Sequence, residues 1–119
     1  MSRQASGLLA WLVQRATAVY LALFMSYLLL SLVLAPPADH AALAAWVSQP
    51  AVGVGLLLFI PVLVAHAWVG VRDALIDYVQ RLGLRLLLLT CFAFVLIASG
   101  LWALKAIVTA GLAGQGIAA

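Results

Sequence analysis

Glutamate is absent from this 119-residue chain, its only acids are three aspartates, and Lys and Arg together number six. With 8% of residues charged and 68% hydrophobic, a water-soluble globule is excluded, because such a domain needs a charged surface to stay dispersed. The formal charge of +3 is too small and too scattered for a nucleic-acid footprint, which removes DNA and RNA as partners. Cysteine occurs once, at Cys91 inside an apolar run, so an intrachain disulfide or a paired-thiol site is excluded and the residue is expected to pack. No repeat, low-complexity tract or change of composition divides the chain, and residues 1–119 are expected to form one small domain.

What the chain does have is long apolar runs. Charge-free windows cover about Ala16 to Leu34, Ala51 to Val71 and Leu86 to Leu104. About 20 apolar residues, at a rise of about 1.5 Å each, suffice to cross a bilayer core of about 30 Å. The expected fold class is therefore all-α and integral to the membrane, with three transmembrane helices over approximately 12–35, 50–79 and 83–108. The first span is too long for a signal-peptide core, and the chain is expected to be kept whole. Arg3 and Arg15 precede the first helix, Arg72, Arg81 and Arg85 join the second to the third, Lys105 follows, and the first loop has no Lys or Arg. The positive-inside rule then predicts a cytoplasmic N-terminus and second loop, with the first loop and C-terminus on the opposite, periplasmic face.

The first loop opens at Pro36 and Pro37, which stop a helix, and offers Asp39 as the N-cap of a short interfacial turn anchored by Trp46. Ser48 and Pro50 resemble a start signal for the second helix. The tail from Gly111 to Gly116 has little to bury and is expected to be loosely ordered.

Against this background one residue stands out. His66 lies in the uncharged stretch Ala41 to Val71, six residues before Arg72, or about 9 Å along a helix axis. An imidazole at that depth loses its water and must bond something inside protein, which makes it a candidate site. Pro61 removes a helical hydrogen bond to Leu57, and Gly70 presents no side chain one turn beyond the histidine. Together they suggest a gap into which a flat macrocycle could fit edge-on. Six-coordinate haem needs a second ligand, yet His40 is expected on the other side of the membrane, so that ligand would come from another chain. Zinc or copper is disfavoured because no second ligand stands at suitable spacing, and a proton pump because His66 is alone at depth. A hydrogen-bonded packing histidine is the remaining reading.

Just beyond lie Asp77 and Tyr78. Asp77 and Arg81, four apart, suit a surface pair, and Tyr78 suits an interfacial aromatic. The same two groups suit a quinone headgroup, which needs a donor for its carbonyl and a route for protons: Tyr78 would donate and Asp77 would assist proton delivery.

Arg15-Ala16-Thr17 at the first helix, His66-Ala67-Trp68-Val69-Gly70 in the second, Asp77-Tyr78-Val79 eleven residues after the histidine, and Leu84-Arg85-Leu86 at the third resemble the hydrophobic membrane anchor (D subunit) of bacterial succinate dehydrogenase. The resemblance spans nearly the whole chain, and its specific part is the spacing from the histidine to Asp-Tyr. It implies that His66 is one axial ligand of a haem b shared with the cytochrome b subunit, whose histidine supplies the other. It implies that Tyr78, with Asp77 beside it, binds ubiquinone near the iron-sulfur subunit, that the flavoprotein subunit oxidises succinate elsewhere, and that the chain sits in the bacterial cytoplasmic membrane. Arg15 would meet a haem propionate through charge-assisted bonds, or serve only as a positive-inside anchor. The alternatives are a cofactor-free anchor of the fumarate reductase type, with His66 a packing residue, and a small scaffold unrelated to respiration. In the latter, Trp11, Trp46, Trp68 and Trp102 would be interface anchors and Ser26, Gly53 and Gly55 would pack helices.

Overall fold

The computed structural model describes residues 3–117, with side chains from Ser6 onward. Four helices follow one another: α1 (Arg3–Leu34), α2 (His40–Ser48), α3 (Pro50–Tyr78) and α4 (Leu82–Gly114). α1, α3 and α4 each carry a stretch long and apolar enough to cross a membrane. The expected all-α architecture with three spans is what the chain forms.

The helices make an open layer. α3 lies in the middle, packed against α1 on one side and α4 on the other, while α1 and α4 make no close backbone approach. α2 lies across α4 and α3 at one end. Among the described residues few side chains are buried by this arrangement: Val52, which is fully enclosed, and Phe59 of α3, with Ala44 and Val47 of α2. The leucine-rich outer faces remain exposed, as suits a chain whose solvent is lipid or a partner helix. The layer is 51 Å long, so its ends reach past a hydrocarbon core of about 30 Å into the headgroup regions.

The α1–α3 seam is built from polar and aromatic residues of α1 three or four apart: Gln14, Thr17, Tyr20, Phe24 and Tyr27 share one face at that spacing. The Tyr20 hydroxyl donates to the Gly55 carbonyl of α3 at 2.8 Å. Phe24 stacks on Tyr20 with centroids 5.7 Å apart and meets Phe59 across the seam at the same separation. Gly55 is glycine because the Phe24 ring lies where its Cβ would be. On the other seam, Gly100 lets Val64 approach α4.

Helix limits differ from the expected ones for identifiable reasons. α1 begins at Arg3 rather than near residue 12, because no proline or strong cap interrupts the stretch before it, and it ends at Leu34 before Pro36. The expected turn after Asp39 is a nine-residue helix, with the Asp39 carboxylate accepting from the Ala42 N–H at 2.8 Å. Ser48 does not start α3. Its hydroxyl donates to the Ala45 carbonyl within α2, and Gln49 precedes Pro50 as a cap without a side-chain bond. The tail expected to be loose is helical to Gly114, where the Ala44 carbonyl of α2 rests against the glycine backbone. It closes with Gly116 at φ 72°, Gly116 N–H donating to Ala113 and Ile117 N–H to Leu112, the paired bonds of a glycine-terminated helix. Cys91, expected to pack, is exposed on α4.

Candidate functional site

His66 lies on the face of α3 turned toward α1, half-buried, with both ring nitrogens met by polar side chains of that helix. Nδ1 is 2.9 Å from the Thr17 hydroxyl oxygen. Nε2 is 3.4 Å from the side-chain nitrogen of Gln14. Thr17 Oγ1 lies 2.6 Å from the Val13 carbonyl, the short back-bond of a helical threonine, and 3.2 Å from the Gln14 carbonyl. Its single proton therefore goes to the α1 backbone, and what it offers His66 is a lone pair. Thr17 thus presents Nδ1 with an acceptor, and a ring protonated at Nδ1 keeps its lone pair on Nε2. The Gln14 amide donates to that lone pair over a long distance, with the opposite end of the amide, Oε1, buried and unpartnered.

Pro61 and Gly70 do not frame a common gap beside His66. At 100° per residue, five positions turn Pro61 about 140° away from the histidine, whereas four bring Gly70 back to within about 40°. Pro61 accordingly lines an apolar groove of about 460 Å³ between α3 and α4, with Val64, Trp68 and Gly100. Gly70 faces α1, and a Cβ there would stand 3.2 Å from the Gln14 side-chain nitrogen. The helix runs unbroken through Pro61. The room that Gly70 leaves is thus filled by Gln14.

A cleft of about 590 Å³ opens beside this seam, toward the N-terminus of α1, lined among others by Trp11, Gln14, Arg15, Arg72 and Asp73. The exposed Arg15 guanidinium stands 5.9 Å from the Trp11 ring centroid, at the outer range of a cation–π contact. Arg72 donates from Nε and Nη2 to one carboxylate oxygen of its neighbour Asp73, at 2.9 and 2.7 Å. No other ion pair occurs among the described residues. The expected Asp77–Arg81 pair does not form, because α3 ends at Tyr78 and Arg81 lies beyond the helix, where i,i+4 geometry no longer holds.

Tyr78 is the last residue of α3 and is 86% exposed, with Asp77 exposed beside it. They lie about 18 Å along the helix axis from His66, and neither lines the Arg15 cleft. His40 sits at the far end of the layer, beside Trp102 and Lys105 of α4. Among the described residues no three histidine, cysteine or carboxylate side chains stand together, so a metal site with several protein ligands would draw on another chain.

Gln14 and Thr17, the two side chains that meet the His66 ring, are not among the residues expected at the site from sequence. The signal was available: two polar residues three apart, where α1 passes from Arg15 into its charge-free run, share one face and need a polar partner.

No curated protein matches the chain. Residues 1–110 match the profile of the succinate dehydrogenase/fumarate reductase transmembrane subunit family. With that match covering nearly all of a three-span, all-helical chain, the protein belongs to this family of membrane subunits of succinate dehydrogenase and fumarate reductase complexes.

Proposed function

We propose that the chain is the D-type membrane anchor of a succinate:quinone oxidoreductase, ligating one face of a haem b through His66 and contributing Tyr78 and Asp77 to a ubiquinone site. The observation that carries this reading is the state of His66. One ring nitrogen lies 2.9 Å from the Thr17 hydroxyl, and the other meets only a long amide contact with a half-satisfied glutamine. A packing histidine at membrane depth would be expected to satisfy both nitrogens well. The donor set fits a shared haem: one imidazole from this chain, and the second from the cytochrome b subunit. Bound there, haem b would supply a one-electron store.

The chain's own residues then have separable tasks. His66 offers Nε2, Thr17 orients the ring, and Arg15, at the rim of the cleft it shares with Gln14 and Arg72, offers a guanidinium to a propionate. Tyr78, exposed at the end of α3, donates its hydroxyl to a quinone carbonyl where the tail can remain in lipid, and Asp77 stands next to it to pass a proton. That Tyr78 and Asp77 are open in the single chain supports a pocket completed by the cytochrome b and iron-sulfur subunits, with the flavoprotein oxidising succinate beyond. The arginine distribution supports a cytoplasmic N-terminus and α3–α4 connection, in the bacterial cytoplasmic membrane.

The test is to purify the chain with its co-expressed subunits and record a dithionite-reduced minus oxidised visible spectrum. A b-type α-band is the expected result. A fully assembled complex without one would replace this reading with a cofactor-free anchor.

A further inference from the structure

We propose that Thr17 is the positioning residue of His66: its hydroxyl oxygen holds the imidazole as the Nδ1–H tautomer and so reserves Nε2 as the ligating nitrogen before any haem arrives. The consequence for haem rests on the functional reading above; the hydrogen bond itself does not.

Three observations carry the assignment. The Thr17 oxygen is 2.9 Å from Nδ1, across two helices and 49 residues of sequence. The same oxygen is fixed from its own side, because its proton is taken by the Val13 carbonyl at 2.6 Å, which selects one threonine rotamer and leaves a lone pair facing α3. At the other nitrogen stands the Gln14 NH₂ group, a donor. The Nε2–H tautomer would set donor against donor at Gln14 and lone pair against lone pair at Thr17. The Nδ1–H tautomer satisfies both contacts.

The group that does this belongs to the α1 backbone register rather than to a flexible side chain. A β-branched threonine bonded to its own helix loses little further freedom on meeting His66, so the ring is oriented by the packing of α1 on α3. Groups that hold a metal-binding histidine by its distal N–H typically affect metal affinity about 10- to 100-fold, and they raise the basicity of the ligating nitrogen. Loss of the Thr17 oxygen is therefore expected to weaken haem retention by that factor. It is also expected to raise the midpoint potential, since a less basic imidazole stabilises the ferric state less.

Two variants and two readouts test this. Thr17→Val keeps the shape and removes the oxygen; Thr17→Ser keeps the hydroxyl. The first readout is the ¹⁵N shift pair of the His66 ring in the full chain, produced without haem, labelled at histidine, carrying His40→Gln to leave one imidazole, and held in lipid bilayers. The unsubstituted Thr17 chain is expected to show a protonated Nδ1 and a bare Nε2, Thr17→Val a mixture of tautomers, and Thr17→Ser the original pattern. The second readout is haem transfer to apomyoglobin and the midpoint potential in the assembled complex. Thr17→Val is expected to lose haem about 10- to 100-fold more readily with a raised potential, and Thr17→Ser to restore both. A protonated Nε2 with Thr17 intact, or Thr17→Val indistinguishable from it in ring shifts and haem retention, overturns the assignment. The ring shifts decide the Thr17 bond whether or not the complex carries haem, so a missing b-type band would sink the functional reading separately.

Discussion

The Gln14 side-chain nitrogen lies 3.4 Å from His66 Nε2, while Gln14 Oε1 is buried without a partner. The amide covers the histidine's free lone pair without bonding it well, and its own carbonyl is unsatisfied, so little holds it in place. A side chain in this position yields to a stronger ligand. Gln14→Ala is therefore expected to leave the b-type band and haem content of the assembled complex within about twofold of wild type. Measured haem-to-protein ratios check this, and a large loss would make Gln14 a holder of the group rather than an occupant of its place.

Tyr78 can be tested apart from the haem, because it lies about 18 Å along α3 from His66 and is 86% exposed at the end of that helix. Tyr78→Phe is expected to lower ubiquinone reduction about 10- to 100-fold, the effect of removing one strong hydrogen bond to a group gaining charge, and to leave the haem spectrum unchanged. Succinate-dependent reduction of a water-soluble dye, which bypasses the quinone, should be retained. An altered haem spectrum with normal quinone reduction would reverse the two assignments.

Arg15 stands at the rim of the cleft that Gln14 and Arg72 line, held only loosely over Trp11. If it pairs with a propionate, Arg15→Gln is expected to speed haem loss by about two- to tenfold while preserving the low-spin spectrum, since the axial ligands remain. Unchanged haem loss would leave Arg15 as a topological anchor alone.

The C-terminal glycines separate packing from backbone freedom. A Cβ on Gly114 would collide with the Ala44 backbone and stand 2.8 Å from Ser48 Cβ, whereas one on Gly111 meets nothing within 4 Å. Gly114→Ala is expected to pry α2 from α4 and cost about 1–3 kcal/mol, with Gly111→Ala neutral or slightly stabilising, as alanine is the better helix former. Unfolding of the two variants in mixed detergent micelles compares them directly.

The three spans were legible because charge is so sparse here that the apolar runs stand out, although Arg15, Arg72, Arg85 and Lys105 lie inside the helices, which run on past those runs. His66 was legible for the same reason, as a polar group where the chain has few. What the sequence hid was direction. Pro61 and Gly70 flank His66 closely in sequence, yet the helical turn sends them to different neighbours, one to α4 and the other to α1. The partners of His66 were hidden because they sit on another helix, 49 and 52 residues away, and only the packing of α1 on α3 brings them together. The tail looked loose because glycines lower helix propensity, but propensity yields to packing: α2 gives α4 a surface to rest on as far as Gly114. Asp77 and Arg81 looked paired because i,i+4 spacing was read across a helix end.

Axial ligation by His66 Nε2 would be read out by the low-temperature EPR spectrum of the oxidised complex. Wild type is to be compared with His66→Gly, the variant without and with added imidazole, each confirmed as assembled by co-purification of all subunits. The expected result is a low-spin, two-imidazole signal in wild type, its loss in His66→Gly, and its return when imidazole fills the vacated position. An assembled His66→Gly complex that keeps the wild-type low-spin signal without imidazole would contradict the claim.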